Sequence, residues 1–348
     1  MSMENGTPVL EVEDLTLRYQ TRQGEVQAVE GVSFQLAQGQ SLGLVGESGC
    51  GKTSVANCLM RLLPENAHLA GGQVKLSGTD LTELGEEEMR SYRWRRIAMV
   101  FQAAMNSLDP VHRVGQQIIE AIEAHGMEST VADARERVAR LFRMVGLDPQ
   151  LMDRYPHEFS GGMRQRAVIA MALSCDPDLI IADEPTTALD VIVQDRILRE
   201  LKIVQQELRM AMIYISHDIG VVAEVTDRIG VMYAGRLVEL GDTAEVFRSP
   251  MHPYTAALMS SFPSVHGERL PLVGLAGEPP NLIDPPAGCP FHPRCQYADE
   301  ICRTEFPTRA SRGDHWAACW HPLDGDPVSE NRQNQDSQDY GIGRIGGP

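Results

Sequence analysis

The chemistry in this sequence is concentrated in a glycine-rich stretch, residues 46–53, which runs Gly-Glu-Ser-Gly-Cys-Gly-Lys-Thr. The apolar run 41–45 before it predicts a buried strand, and residues 54–63 after it predict a helix that ends at Pro64. A glycine-rich turn between a strand and a helix that starts with Lys-Thr is the phosphate-binding loop pattern. Its backbone N–H groups and the helix dipole attract a polyphosphate. A glycine turn without a ligand is the alternative, and the flanking elements disfavour it.

Two residues of this loop have side chains suited to a bound nucleoside triphosphate. Lys52 can reach the β- and γ-phosphates, and the Thr53 hydroxyl can ligate Mg²⁺. Cys50 stands where any small residue fits, so we expect no special role for its thiol. The loop residues expected to contact the nucleotide are Gly46, Ser48, Gly49, Cys50, Gly51, Lys52, Thr53 and Ser54.

A second candidate site follows the apolar run 179–182, which ends in Asp183 and Glu184. Side chains at the carboxyl end of a parallel strand lie beside the crevice where ligands bind. Asp183 can hold the Mg²⁺ shell, and Glu184 can polarise a water aimed at the γ-phosphate. Without the phosphate loop, two solvated turn carboxylates would be the better interpretation.

The elements that position these groups alternate between strands and helices. Apolar patterns predict strands at residues 9–19, 32–36, 73–76, 97–101, 179–182, 211–215 and 228–232. Residues 83–96 and 191–208 are predicted to be helices, and residues 114–172 show only helical spacing. This arrangement predicts an α/β fold with a mostly parallel sheet covered on both faces and interrupted by a helical insertion.

Composition narrows the class of protein. The chain has 348 residues and a formal net charge of −17, which argues against a nucleic-acid-binding surface. No apolar run approaches the length of a membrane span, and the first residues lack the pattern of a secretory signal. We therefore expect a cytoplasmic protein, in which the seven cysteines do not form disulfides.

Residues 159–166, Phe-Ser-Gly-Gly-Met-Arg-Gln-Arg, resemble the signature motif of ABC transporter nucleotide-binding subunits, with Phe for the usual Leu and Met for the usual Gln. Gln102 resembles the Q-loop, residues 188–190 (Ala-Leu-Asp) the D-loop, and His217 the switch histidine. Tyr19 resembles the aromatic residue that stacks on adenine. These motifs follow the family's order over about residues 9–240.

The resemblance implies a P-loop NTPase (RecA-like) core with an antiparallel β subdomain, and an ATPase that needs ATP and Mg²⁺. Glu184, His217 and Gln102 would be catalytic, with Gln102 also sensing Mg²⁺ beside Thr53 and Asp183. Two such subunits would pair head to tail. The turn made by Ser160, Gly161 and Gly162, with Asp190 of the D-loop, would then close on the partner's ATP.

Four cysteines, Cys289, Cys295, Cys302 and Cys319, lie near the C-terminus with five, six and sixteen residues between them. Four thiols in a polar, proline-rich segment suggest a metal that holds a small domain together. The spacing does not choose between Zn²⁺ and a [4Fe–4S] cluster. The segment that starts at His252 and the run from Cys289 to Cys295 resemble the oligopeptide, dipeptide and nickel branch of the family, which favours [4Fe–4S]. His292, His315 and His321 are possible substitute ligands, and four free cysteines are the alternative.

These observations predict a nucleotide-binding domain at residues 1–262 with a helical subdomain at about 104–175. A small cysteine-rich C-terminal domain follows at 263–322, and a disordered tail at 323–348. The resemblance implies the ATPase of an importer for peptides or similar solutes, peripheral on the cytoplasmic face of the inner membrane.

The implied partners are a second, non-identical ATPase subunit, two transmembrane permease subunits and an extracytoplasmic solute-binding protein. A soluble ABC-type ATPase of translation or DNA repair is the alternative, disfavoured by the single phosphate loop and the acidic charge. In a third hypothesis, the late domain is a metal-dependent interaction module. Removing the residues after about 262 and measuring transport and assembly would separate these hypotheses.

Overall fold

The structure is a computed structural model that describes residues 8–102, 107–186, 190–260, 275 and 277–324. The described chain packs as two compact units. The first contains the residues up to Leu237 together with Pro279–Pro285, and the second contains Val238 to Glu278 and the residues from Pro286 onward. Among the helices that the structure describes, none is long and apolar enough to cross a bilayer.

The first unit contains a parallel sheet that carries the predicted strands. Its strands are β3 (Ser41–Val45), β6 (Ile97–Val100), β7 (Leu179–Asp183), β8 (Ala211–Ile215) and β9 (Arg228–Tyr233). They lie in the order β9-β3-β8-β7-β6, and all four neighbouring pairs are parallel. Every residue of β3, β7 and β8 is buried, because helices cover both faces of the sheet.

A four-stranded antiparallel sheet forms the other layer of this unit, in the order β2-β1-β4-β5. Its strands are β1 (Pro8–Thr21), β2 (Gly24–Ala37), β4 (Ala67–Leu76) and β5 (Thr79–Asp80). The prediction that β4 begins at residue 73 is wrong, since this strand runs through Gly71 and Gly72. Gly72 has φ 90°, and a Cβ there would approach the carbonyl carbon of Asp14 to 2.6 Å, so the register shift against β1 requires glycine.

Within the described residues, nine α-helices precede the cysteine-rich segment and one lies within it. They are α1 (Lys52–Met60), α2 (Glu86–Tyr92), α3 (Val114–Ala124), α4 (Val131–Met144), α5 (Gly161–Ala172), α6 (Val191–Leu208), α7 (Ile219–Val225), α8 (Thr243–Arg248), α9 (Pro253–Ser260) and α10 (Glu300–Thr304). The helix predicted over 83–96 is shorter in the structure. It ends at Tyr92 because the chain turns at Trp94, which has φ 71°.

Between β6 and β7 the described chain is helical, as the apolar spacing predicts. Thr130 caps α4 by accepting a hydrogen bond from the N–H of Asp133, and short 3-10 turns at Pro149–Asp153 and Pro156–Glu158 lead into α5. The apolar faces of α3, α4, α5 and α6 share one core with β6, β7 and β8. This shared core fixes the start of α5 relative to the sheet.

A short segment, Pro279–Pro285, belongs to the first unit although it lies far along the chain. We call it the strap. The carbonyl of Leu282 accepts a hydrogen bond from the N–H of Gln27 in β2, at 2.9 Å. A Cβ on Gly24 would come within 2.9 Å of the Ile283 side chain, so the strap packs closely against the start of β2.

The second unit begins within β10 (Arg236–Asp242), which pairs antiparallel with β12 (His315–Ala318), and β12 pairs with β11 (Arg309–Arg312). Sequence analysis did not predict these three strands. Buried Glu239 of β10 accepts hydrogen bonds from the N–H groups of Met251 and His252. His315 Nε2 lies 2.7 Å from the same carboxylate. His315 therefore serves this network rather than the cysteines.

Candidate functional site: a phosphate loop, a carboxylate cluster and a cysteine pocket

The glycine-rich loop connects β3 to α1, as predicted. Gly46 and Gly51 have φ 150° and 105°, in the region that favours glycine. A Cβ at Gly46 would lie 2.2 Å from the carbonyl oxygen of Met232, and one at Gly51 would lie 2.3 Å from that of Ala28. Both positions therefore require glycine. The loop is held against the backbone of two neighbouring segments, with Ser48 and Gly49 exposed at its tip.

Lys52 is buried at the start of α1 and folds back over the loop. Its Nζ donates hydrogen bonds to the carbonyl oxygens of Gly46 at 2.8 Å and Glu47 at 2.9 Å, and lies 3.5 Å from Cys50 Sγ. Burial raises the pKa of the Cys50 thiol, despite the nearby ammonium. The Lys52 ammonium group thus lies against the phosphate loop. Cys50 is a small buried residue, as expected.

We expect Lys52→Ala to weaken ATP binding roughly 10- to 100-fold, because charge-assisted hydrogen bonds contribute about 1.5–3 kcal/mol each. Equilibrium titration with a fluorescent ATP analogue measures this. Lys75→Ala is the matched control, since Lys75 lies on β4 and pairs with Glu13 at 3.7 Å. Equal affinities in the two variants would contradict the role of Lys52.

Asp183 ends β7 beside the loop and is buried. Burial raises the pKa of its carboxyl group, while a hydrogen bond with the Thr53 side chain lowers it. Its Oδ1 atom is buried and, among the described residues, has no hydrogen-bond partner. A buried carboxylate oxygen without a donor, next to a threonine hydroxyl, fits the ligand set that Mg²⁺ prefers.

Glu184 is the centre of a carboxylate cluster formed with Gln102 and His217. Gln102 Nε2 donates a hydrogen bond to Glu184 Oε2 at 2.8 Å, and His217 Nδ1 lies 3.1 Å from Oε1. Glu184 has φ 47°, a left-handed conformation that is uncommon outside glycine. The structure thus brings together all three residues predicted to be catalytic, from the ends of three neighbouring strands, β6, β7 and β8.

Tyr19 lies near the end of β1, partly exposed, with its hydroxyl 3.3 Å from Ser54 Oγ on α1. The ring is therefore tied to the helix that follows the phosphate loop. A flat, partly exposed ring at this place is suited to stacking on a base.

Ser160 is the N-cap of α5, and its Oγ accepts a hydrogen bond from the N–H of Met163 at 3.3 Å. Gly161 and Gly162 form the first turn of the helix. A Cβ at Gly162 would lie 2.8 Å from Val193 on α6, whose N-cap is Asp190. Ser160, Gly161 and Asp190 are exposed. Ala188 and Leu189 of the predicted D-loop lie outside the described residues.

The turn of Ser160–Gly162 starts α5, whereas the phosphate loop leads into α1, so the two lie at the beginnings of different helices. Each contains exposed residues, and the N-terminus of a helix attracts anions.

In the second unit, the four cysteines line one enclosed pocket. The N–H of Cys289 donates to the carbonyl of Cys302 at 2.8 Å, which ties the two parts of the pocket together. Burial raises the pKa of Cys289 to about 11 and of Cys319 to about 12, and the neighbouring cysteines add to both increases. The other lining residues are His252, Pro253, Phe291, His292, Tyr297, Trp320 and His321.

Among the described residues, the group of three or more ligand atoms within 4.8 Å of one another is Asp299, Cys302 and His321. The four cysteines nevertheless share one pocket, so a single Zn²⁺ or a [4Fe–4S] cluster would take its ligands from the same residues.

Comparison with known proteins identifies the family. Residues 29–187 match the ABC transporter family, and residues 238–302 match the C-terminal region of oligopeptide and dipeptide transporters. The dipeptide transport ATP-binding protein DppD of Bacillus subtilis is 45% identical over 90% of this chain and 94% of the relative. The oligopeptide transport ATP-binding protein OppD of Salmonella typhimurium is 44% identical over 91% of this chain and 94% of the relative.

The chain belongs to the family of ATP-binding subunits of peptide ABC transporters. A probable peptide ABC transporter ATP-binding protein of Sinorhizobium fredii is 47% identical over 90% of this chain and 94% of that protein.

Solved structures agree with this assignment. The ADP- and phosphate-bound dimer of the ATP-binding cassette MJ0796 has a TM-score of 0.60 and 25% identity, covering 67% of this chain and 98% of that one. CbiO1 of Clostridium perfringens has a TM-score of 0.59 and 27% identity, covering 69% and 90%. The predicted P-loop NTPase cassette fold is therefore confirmed.

Two features near the site escaped sequence analysis. The sequence of the strap, Pro-Pro-Asn-Leu-Ile-Asp-Pro, carries no strand pattern, so nothing in it indicated a contact with β2. Arg93, Arg95 and Arg96 were predicted to lie in a helix over residues 83–96, whereas the structure places them after that helix ends at Tyr92. A clearer signal was available, since Trp94 among three arginines is unusual for a solvated face in an acidic chain.

Proposed function

We propose that this chain is the ATP-hydrolysing subunit that drives the import of di- or oligopeptides, or a similar small solute, through an ABC transporter. The observation that carries the proposal is the position of the Glu184 carboxylate, which Gln102 and His217 contact from either side. The relatives named as dipeptide and oligopeptide transport proteins support the class of solute. A role in translation or DNA repair is not favoured by them.

The chain's own residues account for the steps of hydrolysis. Lys52 and the loop N–H groups bind the β- and γ-phosphates, and Tyr19 stacks on the adenine. Glu184 accepts a proton from the attacking water, Gln102 orients that water, and His217 donates a hydrogen bond to the γ-phosphate. Thr53, Asp183 and Gln102 would hold Mg²⁺, which neutralises charge on the phosphates.

The ATP-binding site would be completed by a partner subunit. Ser160, Gly161 and Gly162 of one subunit, with Asp190, would close over the nucleotide held by the other subunit's phosphate loop. The exposure of Ser160, Gly161 and Asp190 supports the arrangement, as does the dimeric state of the cassette MJ0796. The partner would be a similar, non-identical ATPase.

The remaining partners are two transmembrane permease subunits and an extracytoplasmic solute-binding protein. The subunit would lie on the cytoplasmic face of the inner membrane without crossing it. A net charge of −17 supports the absence of a nucleic-acid partner. Residues 1–262 would be the nucleotide-binding domain, with a helical subdomain at about 104–175, and residues 263–322 the cysteine-rich domain.

Cys289, Cys295, Cys302 and Cys319 would hold a [4Fe–4S] cluster, with Zn²⁺ as the alternative. The gathering of all four thiols around one pocket supports a shared metal group, and the resemblance to the peptide branch of the family favours the cluster. Such a group would stabilise a segment with little apolar core and serve a structural or regulatory role. The predicted disordered tail lies, from residue 325 onward, outside the described residues.

Reconstitution tests the proposed function. The subunit, its partner ATPase and the permease pair from the same gene cluster are placed in proteoliposomes with the solute-binding protein. We expect ATP-dependent uptake of radiolabelled di- or oligopeptides, lost with Glu184→Gln and kept with Glu207→Gln, an exposed glutamate at the end of α6. ATPase activity stimulated by ribosomes or DNA, without peptide uptake, would contradict the proposal.

A further inference from the structure

A cavity of about 490 Å³ lies beside the start of β6, away from the nucleotide site. Three segments of the first unit form it: the last turn of α2, the turn at residues 93–96, and the end of α3. Its volume falls in the range of small-molecule sites, about 300–1,000 Å³. The lining residues are Arg90, Ser91, Arg93, Arg95, Ala124 and His125.

The charge of this cavity is opposite to that of the chain. Three guanidinium groups and an imidazole line one concave surface of a protein whose net charge is −17. Two nearby carboxylates, Glu86 and Glu87, offset part of this charge. A local excess of positive charge remains. Its arginines line one cavity, whereas arginines on a protein surface are usually scattered.

The three arginines are not equally engaged. Arg93 donates hydrogen bonds to Glu86 at 2.6 Å and to the carbonyls of Met60 and Arg61. These bonds hold its side chain in place as part of the cavity wall. Arg90 lies 3.9 Å from Glu86 and 3.7 Å from Glu87, beyond hydrogen-bond distance. Within the part of the chain that the structure describes, Arg95 has no ion-pair partner. Arg90 and Arg95 can therefore donate to a ligand.

His125 faces the same space. Burial lowers the pKa of this imidazole, and the Arg95 charge lowers it further. The ring of Trp94 packs beside His125, with the two ring centroids 6.2 Å apart. An anion between Arg95 and His125 would offset the Arg95 charge, which now disfavours protonation of the imidazole.

We propose that this cavity is a binding site for a small, multiply charged phosphate-bearing anion. Guanidinium groups match phosphate oxygens in geometry, and two of them here have donors available. The phosphate could come from a free phosphate ester or from a lipid headgroup, which share this chemistry. Arg90, Arg95 and His125 are the binding residues, and Arg93 forms part of the wall.

The site is distinct from the nucleotide site. Its residues lie at the amino end of β6 (Ile97–Val100), whereas Gln102 follows the carboxyl end, about 13 Å away for four residues of strand. Trp94 lies between two lining arginines in the chain and contacts the helix that carries Ser160. Its Nε1 donates a hydrogen bond at 2.7 Å to the carbonyl of Met171, in the last turn of α5. A ligand that fixes the turn at residues 93–96 would therefore restrain α5.

Isothermal titration with inorganic pyrophosphate tests the proposal, using the full-length chain saturated with MgADP so that the phosphate loop is filled. We expect saturable binding to the wild type, weakened about tenfold or more by Arg95→Ser, since one charge-assisted hydrogen bond to phosphate is lost. Arg95→Lys should lose less. Arg140→Ser, at an exposed arginine on α4, is the matched control and should bind as the wild type does.

A parallel sedimentation assay with vesicles distinguishes the source of the phosphate. Binding that depends on Arg95 to phosphatidylglycerol but not to phosphatidylcholine vesicles would assign a lipid headgroup, and binding to pyrophosphate alone would assign a free anion. The proposal is overturned if the wild type binds neither probe, or if Arg95→Ser and Arg140→Ser bind equally. A thermal melt of each variant confirms that it is folded.

Discussion

Replacing Glu184 by Gln should leave ATP binding intact and slow ATP turnover by roughly 10²–10⁴-fold, the scale for losing a general base. The amide has the shape of the carboxylate but cannot accept a proton. Gln102 and His217 both contact this carboxylate, so its position is fixed and the variant isolates the chemistry from the geometry. Steady-state phosphate release at saturating ATP measures the turnover, and nucleotide titration measures the binding.

Glu207→Gln is the control for this experiment, because Glu207 is an exposed glutamate at the far end of α6. Its turnover should match that of the wild type. If Glu184→Gln hydrolysed ATP at the wild-type rate, the assignment of Glu184 would be rejected. If ATP binding were lost as well, the variant would have disturbed the loop, and the ATPase result would say nothing about a base.

Replacing Cys302 by Ser should abolish stoichiometric metal binding by the second unit. Cys302 lines the pocket and its carbonyl accepts from the N–H of Cys289, so its loss removes one of four thiols while the backbone contact can remain. Structural metal sites contribute on the order of 10 kcal/mol to folding. We therefore expect a large fall in thermal stability of this unit. Anaerobically purified protein is assayed for iron, sulfide and zinc, with visible absorbance as the signature of a cluster.

Cys175→Ser provides the matched control, since Cys175 is a buried cysteine in the first unit, near Ser174. It should retain the metal. Iron and sulfide in equal amounts in the wild type would support the cluster, whereas one zinc per chain without iron would favour the alternative. Metal-free protein with unchanged stability in Cys302→Ser would reject both.

Sequence analysis predicted those parts of the fold that depend on local pattern. The strands of the parallel sheet are fully buried, so each is a continuous apolar run that is visible without its neighbours. The phosphate loop was predictable because its backbone requires glycine. Gly46 and Gly51 have positive φ angles, and a Cβ at either would collide with a backbone carbonyl. The resemblance to a family then placed Gln102 and His217, whose roles no local pattern indicates.

The features that escaped prediction depend on contacts between distant residues. β10 and β12 pair through only two register positions, Glu239 with Ala317 and Leu240 with Trp316, across a long stretch of sequence. The buried Glu239 gives no apolar signal, since its carboxylate is satisfied by two backbone N–H groups and by His315. The arginine cavity likewise requires the end of α3 to meet the turn before β6.

The strap has a consequence for any shortened form of the protein. β2 is an outer strand of the antiparallel sheet, and its Gln27 N–H would be left unpaired if Leu282 were removed. Bare outer strands recruit strands of other molecules and so promote aggregation. Deleting everything after residue 262 would therefore have two effects at once, the loss of the cysteine-rich domain and self-association through β2. A transport or assembly measurement on that variant would not separate them. A deletion that retains the chain through Pro285 removes all four clustered cysteines. It keeps the hydrogen bond between Leu282 and the edge strand β2.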